Sequence, residues 1–341
     1  MTHKIGVLGL HHDHIWSNLE ELSRLDSAEI VGAADHNPPL LDQFREQFGG
    51  TTCESYEDLL EQEDLTAVYI FGSNQLSEDL TVMACERGLH CLVEKPMAAT
   101  LSGAEKMLAA ARDAGVRLVI NWPFAWWPQL RHAIALASEG DLGQLWQVKY
   151  RAAHQGPVEL GCSTFFCDWL YDEKLNGAGA LMDYCCYGSV LAQVLLGAPK
   201  SVTGCKLRTG LKPDLALEDN AILVMQYENA LATTEASWNQ IGKMTAYSTT
   251  IYGSEGTFLI EPDHGGKLFK ATLEEPEGIE IAIPEIQFAP EMETASAHFL
   301  HLIENPDADV MPLCEMQNCR DAQAILEAGL ASANQNQTVS I

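Results

Sequence analysis

The first 120 residues alternate short apolar runs with longer stretches in which apolar residues recur every three or four positions. The runs at residues 4–10, 29–35, 66–71, 90–93 and 117–121 predict strands buried on both faces. Between them the spacing predicts helices over 15–25, 40–48, 77–87 and 101–114, the last three closed by Gly49-Gly50, Gly88 and Gly115. Ser55-Tyr56-Glu57-Asp58 reads as a capping signal for a short helix through Leu59-Leu60. Apolar strands joined by helices of this length predict a parallel, doubly wound sheet, which takes ligands beyond the carboxyl ends of its strands.

Near residue 122 the rhythm changes, giving an expected division into an α/β domain over 1–122 and an α+β domain over 123–341. The last residues are expected to pack back on the first domain. Residues 128–139 predict a helix, 144–153 an alternating strand, and 177–196 a long helix rich in small residues. From 201 to 283 the pattern is strand-like, with strands at 221–227, 230–238, 248–252, 257–260 and 279–283. Asn229 and the turn at 253–256 separate them, which predicts a largely antiparallel sheet. Helices over 292–304 and 315–334 close the chain.

Composition narrows the function. Forty-eight acidic residues against 20 basic ones leave a formal charge of -28, which repels phosphate backbones and anionic lipid. Neither a nucleic-acid nor a membrane partner is expected. No run of 18 apolar residues is present, so no membrane span is expected, and the N-terminus lacks the layout of a secretory signal. The ten cysteines are scattered, and Cys162/Cys167 and Cys314/Cys319 lack zinc-site spacing. Reduced thiols in a cytoplasmic protein are the expectation.

Candidate chemistry starts at Gly6-Val7-Leu8-Gly9-Leu10-His11-His12-Asp13-His14, where a dinucleotide-binding turn belongs. Of the three fingerprint glycines only Gly9 is kept; His11 and His14 stand at the other two. Asp35 ends the second strand, where a carboxylate accepts ribose hydroxyls and repels a 2′-phosphate, favouring NAD over NADP. Adjacent histidines do not easily face one ion from a turn, and a helix N-terminus disfavours a cation. The three are read as phosphate donors or packing groups, and no metal is assigned.

Glu94-Lys95-Pro96 ends an apolar strand, and Pro96 holds Lys95 extended, aiming its ammonium into the crevice; the alternative is a strand-end salt bridge. In the glycine-rich stretch 177–188, Asp183 and Tyr187 share a helix face, where the alternative is a buried tyrosine hydrogen-bonded to an aspartate.

In order, the turn at 6–14, Asp35, Ser73-Asn74, Glu94-Lys95-Pro96, the glycine-rich helix with Asp183 and the closing 322–333 helix resemble one family. It is the glucose–fructose oxidoreductase / inositol dehydrogenase / rhizopine-catabolism (Gfo/Idh/MocA) family, and the resemblance covers essentially the whole chain. It implies an NAD-binding Rossmann domain and a second domain on an open, mostly antiparallel sheet, often used to form homodimers or homotetramers. Implied cofactor contacts are Gly9, Leu10, His11, His12, Asp35, Gly72, Ser73, Asn74, Glu94, Lys95 and Asn121. Lys95 is implied to contact substrate and nicotinamide and Asp183 to orient substrate, while Tyr187 stands where many members carry a histidine acid/base. The chain departs from the family at His11 and His14, and at Ser77, where many members have histidine.

The expected activity is hydride transfer between NAD and a secondary alcohol of a sugar, polyol or derivative. Tyr187 is its acid/base, with a pKa lowered by Lys95. His154, Asp168 and Trp169 are further expected substrate contacts, Trp169 by stacking on a sugar face. Two rivals remain: redox-assisted elimination or glycoside cleavage without net redox, and a ligand-binding protein that has lost NAD.

Overall fold

The computed structural model describes residues 2–61, 64–260, 266–283 and 290–341. In the N-terminal part the elements are β1 (His3–Leu8), α1 (His14–Leu22), β2 (Ala28–Ala34), α2 (Pro38–Phe48), β3 (Thr51–Cys53) and α3 (Tyr56–Leu60). They continue as β4 (Ala67–Ile70), α4 (Asn74–Cys85), β5 (His90–Glu94), α5 (Leu101–Ala114) and β6 (Leu118–Asn121). The strands form one parallel sheet in the order β3-β2-β1-β4-β5-β6. Every residue of β4 and β6 is buried, as the unbroken apolar runs require. The order reverses at β1, so the carboxyl ends of β1 and β4 open a crevice at the switch point. β3 carries no apolar run and is not predicted by the pattern; Thr51 and Thr52 pair with Gly32 and Ala33 at the sheet edge.

The C-terminal part begins with α6 (Pro128–Ser138) and β7 (Leu145–Ala153), followed by three short helices, α7 (Pro157–Leu160), α8 (Thr164–Leu170) and α9 (Glu173–Asn176), and the long α10 (Ala180–Leu196). Next come β8 (Ser201–Leu207), β9 (Asn220–Gln226), β10 (Leu231–Ser237), β11 (Tyr247–Gly253), β12 (Thr257–Ile260), β13 (Leu268–Ala271) and β14 (Ile279–Ile281). Helices α11 (Ala295–Glu304) and α12 (Met316–Gln335) and the short β15 (Val339–Ser340) finish the chain.

The nine strands run in the order β14-β13-β12-β11-β7-β10-β9-β8-β15. All neighbours are antiparallel except β7 and β10, whose parallel pairing follows from the helical connection that leaves β7 and crosses the sheet face as α10. Residues 261–265 of the strand-like stretch lie outside the described residues.

α10 lies on β7 and β10, and α12 packs on α10 and β8 and reaches back to α5 and β6. By length and composition alone, Glu173–Leu196, which spans α9 and α10, is apolar enough to cross a bilayer. With 78% of its most apolar window buried in the protein, it serves as the core helix.

Candidate active site

The turn after β1 is built on backbone contact. Gly9 has φ 85°, and a Cβ there would stand 2.8 Å from the Gly72 nitrogen, so only glycine lets the two strand ends meet. His11 then turns inward. Its Nε2 accepts the Ser73 N–H (2.8 Å), which leaves the proton on Nδ1 to be donated to Asp35 Oδ2 (3.0 Å). The same oxygen takes the Leu10 N–H (2.6 Å), and Oδ1 takes the Asn37 N–H (2.8 Å) and Nδ2–H (2.7 Å). Burial alone would raise the Asp35 pKa; His11 and the two backbone donors reverse that and hold it low.

Across the crevice, Lys95 follows β5 and reaches α10. Its Nζ donates to Asp183 Oδ1 (2.9 Å) and to the Asp183 carbonyl (3.3 Å), while the second carboxylate oxygen accepts Trp238 Nε1–H (3.0 Å). Both members of the ion pair are buried. Burial would push Lys95 down, but Asp183 and then Tyr187 more than compensate, so it stays an ammonium. Asp183 is driven up by burial and further down by Lys95, so it stays a carboxylate. The Lys95 nitrogen sits 5.0 Å from the centre of the Tyr187 ring, against its face.

Above this pair lies a cavity of about 240 Å³ whose walls include His14, Lys95, His154, Asp183, Tyr184 and Tyr187. Tyr184 and Tyr247 share a hydroxyl–hydroxyl bond of 3.0 Å at its side. His154 is buried enough for its pKa to fall to about 4, so its ring is neutral. Behind the cavity, Glu94 accepts from Asn121 Nδ2 (2.8 Å) and lies 3.0 Å from His14 Nδ1.

Two family models match the chain. One, described as "Oxidoreductase family, NAD-binding Rossmann fold", covers residues 4–122; the other, "GFO/IDH/MocA C-terminal domain", covers residues 130–259. The chain belongs to the GFO/IDH/MocA oxidoreductase family. A dTDP-3,4-didehydro-2,6-dideoxy-alpha-D-glucose 3-reductase of Actinomadura kijaniata is 30% identical over 221 residues, 64% of either chain. A D-xylose 1-dehydrogenase (NADP(+)) 2 of Haloferax volcanii is 30% identical over 190 residues, 55% of either chain. The match thus spans less than two thirds of these relatives' lengths. The structure of a levoglucosan dehydrogenase in complex with NADH and levoglucosan superposes over the full length of both chains, with a TM-score of 0.82 at 18% identity.

Within the GFO/IDH/MocA frame, the site residues fall into three groups. Lys95, Asp183, Tyr187 and His154 come together on one cavity, as the sequence reading requires. Tyr187 differs in one respect: Lys95 pulls its pKa down, but burial outweighs that, and the phenol is held well above its ordinary value rather than below it. Gly9, Leu10, Gly72, Ser73, Glu94 and Asn121 all lie at the strand ends lining the crevice. The rest point elsewhere. Asn74 is buried and donates to the Asn176 carbonyl (3.0 Å) and Oδ1 (2.8 Å), tying α4 to α9. Asp168 is exposed and stands off the cavity wall. Trp169 is buried, with its indole N–H on the His11 carbonyl (3.2 Å) and its ring beside His12, so it braces the turn. Phe166, Leu160 and Cys162 from the same segment form the wall instead.

The histidines also part company. His11 serves Asp35, while His12 and His14 come together with Glu94, their ligating atoms within 4.8 Å of one another, which a turn alone does not achieve. His12 Nδ1 accepts the His14 N–H (3.3 Å) and His14 Nδ1 faces Glu94, so both Nδ1 atoms are engaged within the protein.

As for the dinucleotide the family carries, the Gly9–Gly72 contact and the free strand ends fit a pyrophosphate turn, and Glu94, Lys95 and Asn121 fit the nicotinamide half. Asp35 does not present itself to a ribose: it is fully buried, and both oxygens are taken by protein donors. Sequence reasoning missed Trp238 and the Tyr184–Tyr247 pair, because nothing in their local spacing marks them as neighbours of Asp183.

Proposed function

We propose that the chain is a nicotinamide-dependent oxidoreductase interconverting a secondary alcohol and a ketone on a small neutral sugar, polyol or derivative. The observation that carries the reading is the Lys95–Asp183 ion pair at the floor of a cavity that also holds Tyr187. The turn at Gly9–His12 with Ser73, Glu94, Lys95 and Asn121 would hold the dinucleotide, which supplies or accepts the hydride.

The chain's own groups do the rest. A lysine ammonium has three N–H donors, and two of them are spent on Asp183, so the third serves the substrate oxygen. Asp183, locked by Lys95 and Trp238, keeps that ammonium in place. Tyr187 exchanges the hydroxyl proton; a phenol that burial keeps protonated is suited to giving a proton to the oxygen of a ketone as it is reduced. Substrate size and charge follow from the cavity. About 240 Å³ is below the roughly 300 Å³ lower end of drug-sized sites. Its ion pair is internally neutral, His154 is uncharged and tyrosine rings line it, which suits a single polyhydroxylated ring.

A panel of sugars and polyols with NAD and NADP, followed by nicotinamide absorbance, tests the activity. Tyr187→Phe should lower kcat by about a hundred- to ten-thousand-fold while NADH binding is unchanged. Wild-type turnover in that variant removes Tyr187 from the chemistry. One observation favours a second reading, a ligand-binding protein without NAD: the saturation of Asp35 by His11 and its neighbours. Absence of NADH binding by fluorescence titration selects it.

A further inference from the structure

We propose that His14, backed by Glu94, is the group that takes up the proton released when the alcohol is oxidised and returns it on reduction. The inference builds on the oxidoreductase reading and adds the proton's destination. It begins with a shortage. Oxidising the alcohol sends a hydride to the nicotinamide and leaves one proton, which must settle on a base.

The other titratable groups on the cavity are poorly suited to keep it. Tyr150, Tyr184, Tyr187 and Tyr247 are all pushed up, burial being the first cause in each, so a phenol there can pass a proton on but is a poor resting place for negative charge. Cys162 is raised to about 11, again chiefly by burial. Lys95 is already an ammonium, Asp183 is held ionised by it, and His154, at about 4, gives up a proton too readily. His14 is left.

Its surroundings form a built dyad. The ring lies at the N-terminus of α1, with Nδ1 3.0 Å from Glu94 Oε1. Glu94 is buried, and its other oxygen accepts Asn121 Nδ2–H (2.8 Å); Asn121 in turn donates to Asn18 Oδ1 (3.1 Å). A buried carboxylate fixed in this way holds the imidazole as the Nδ1–H tautomer and leaves Nε2 as the acceptor, as the carboxylate of a catalytic triad does. Around it stand His12, whose ring centre is 4.6 Å away, Lys95 next to Glu94, and Glu21 two turns along α1.

Position completes the case. His14 lines the catalytic cavity and also a second one of about 330 Å³, bounded by Asn18, Glu21, Asn121, Trp126 and Glu293. Its side chain is 42% exposed, so one ring faces both the reaction and the solvent. The third fingerprint glycine is therefore replaced by a proton carrier. Glu94 acts through it, as a positioning residue.

Three measurements on the full-length protein test this. With a substrate from the sugar panel, His14→Ala should lower kcat about a hundred- to ten-thousand-fold with KM changed only a few-fold. Added imidazole should restore part of the rate in that variant. In ¹⁵N-labelled wild type, the His14 ring should be the Nδ1–H tautomer, and Glu94→Gln, which keeps the shape of the side chain, should abolish that preference. Wild-type turnover in His14→Ala, failure of imidazole to restore any rate, or an Nε2–H tautomer overturns the proposal. Absence of any turnover by the unmodified chain would instead overturn the oxidoreductase reading, and the tautomer would still decide the dyad.

Discussion

Asp35 shows how one substitution redirects a neighbour. A glycine two residues after Gly9 would leave the carboxylate at the end of β2 open to a ligand; His11 at that position supplies a donor and fills the space. Four N–H groups now end on Asp35, two of them from the backbone. Removing the acceptor strands them around a fully buried position, and each buried unpaired donor costs on the order of 1–3 kcal/mol. Asp35→Ala should therefore lower unfolding stability by about 3 kcal/mol, allowing for partial relaxation, as measured by urea denaturation. A loss within about 0.5 kcal/mol would mean that the four bonds are not formed together, and that the carboxylate is available for a ribose after all.

Among the elements, a close backbone contact joins α12 to the nine-stranded sheet. A Cβ on Gly204 of β8 would lie 2.1 Å from the Gly329 carbonyl oxygen of α12, a backbone atom that cannot swing aside. Gly204→Ala should cost roughly 1–3 kcal/mol through forced separation of helix and strand, visible as a lower urea midpoint with an unchanged slope. An unaltered midpoint would show that α12 floats over the sheet. This contact also marks the limit of what the amino-acid pattern reveals. Apolar periodicity located most helices and strands within a few residues, because β4 and β6 are buried on both faces and α12 on one. It did not reveal β3 and β15, which lie at sheet edges and carry little apolar signal, or the parallel β7–β10 pair, which depends on how the chain crosses α10. At the site, Lys95, Asp183 and Tyr187 were legible from motif order. Where Asn74, Asp168 and Trp169 point was not legible, because their directions are set by α8 and α9, short helices whose packing on the turn no spacing encodes.

The molecule as a whole carries a formal charge of -28. Self-repulsion on this scale opposes the compact state, and added salt screens it with a Debye length of about 10 Å at 0.1 M. Raising NaCl from about 0.02 to 0.5 M should therefore raise Tm by several degrees, roughly 5 °C, in a thermal scan. A flat or falling Tm would mean that the acidic groups are already balanced locally by donors such as those around Asp35 and Asp219. The two sheets are also stitched to each other by polar contacts: Asp13 accepts from the Ser163 N–H (2.7 Å) and hydroxyl (2.5 Å), and Asn74 bonds Asn176.

The Lys95–Asp183 pair gives that stitching a sharper meaning. One charge belongs to the Rossmann sheet and the other to the helix beyond it, and separating two such buried partners costs about 3–5 kcal/mol. Neither half is thus a free-standing module: expressed apart, each would expose the surface and the charge that the whole chain buries against the other. Chimeras between this chain and its relatives should hold together only when the crossover keeps both partners from the same parent.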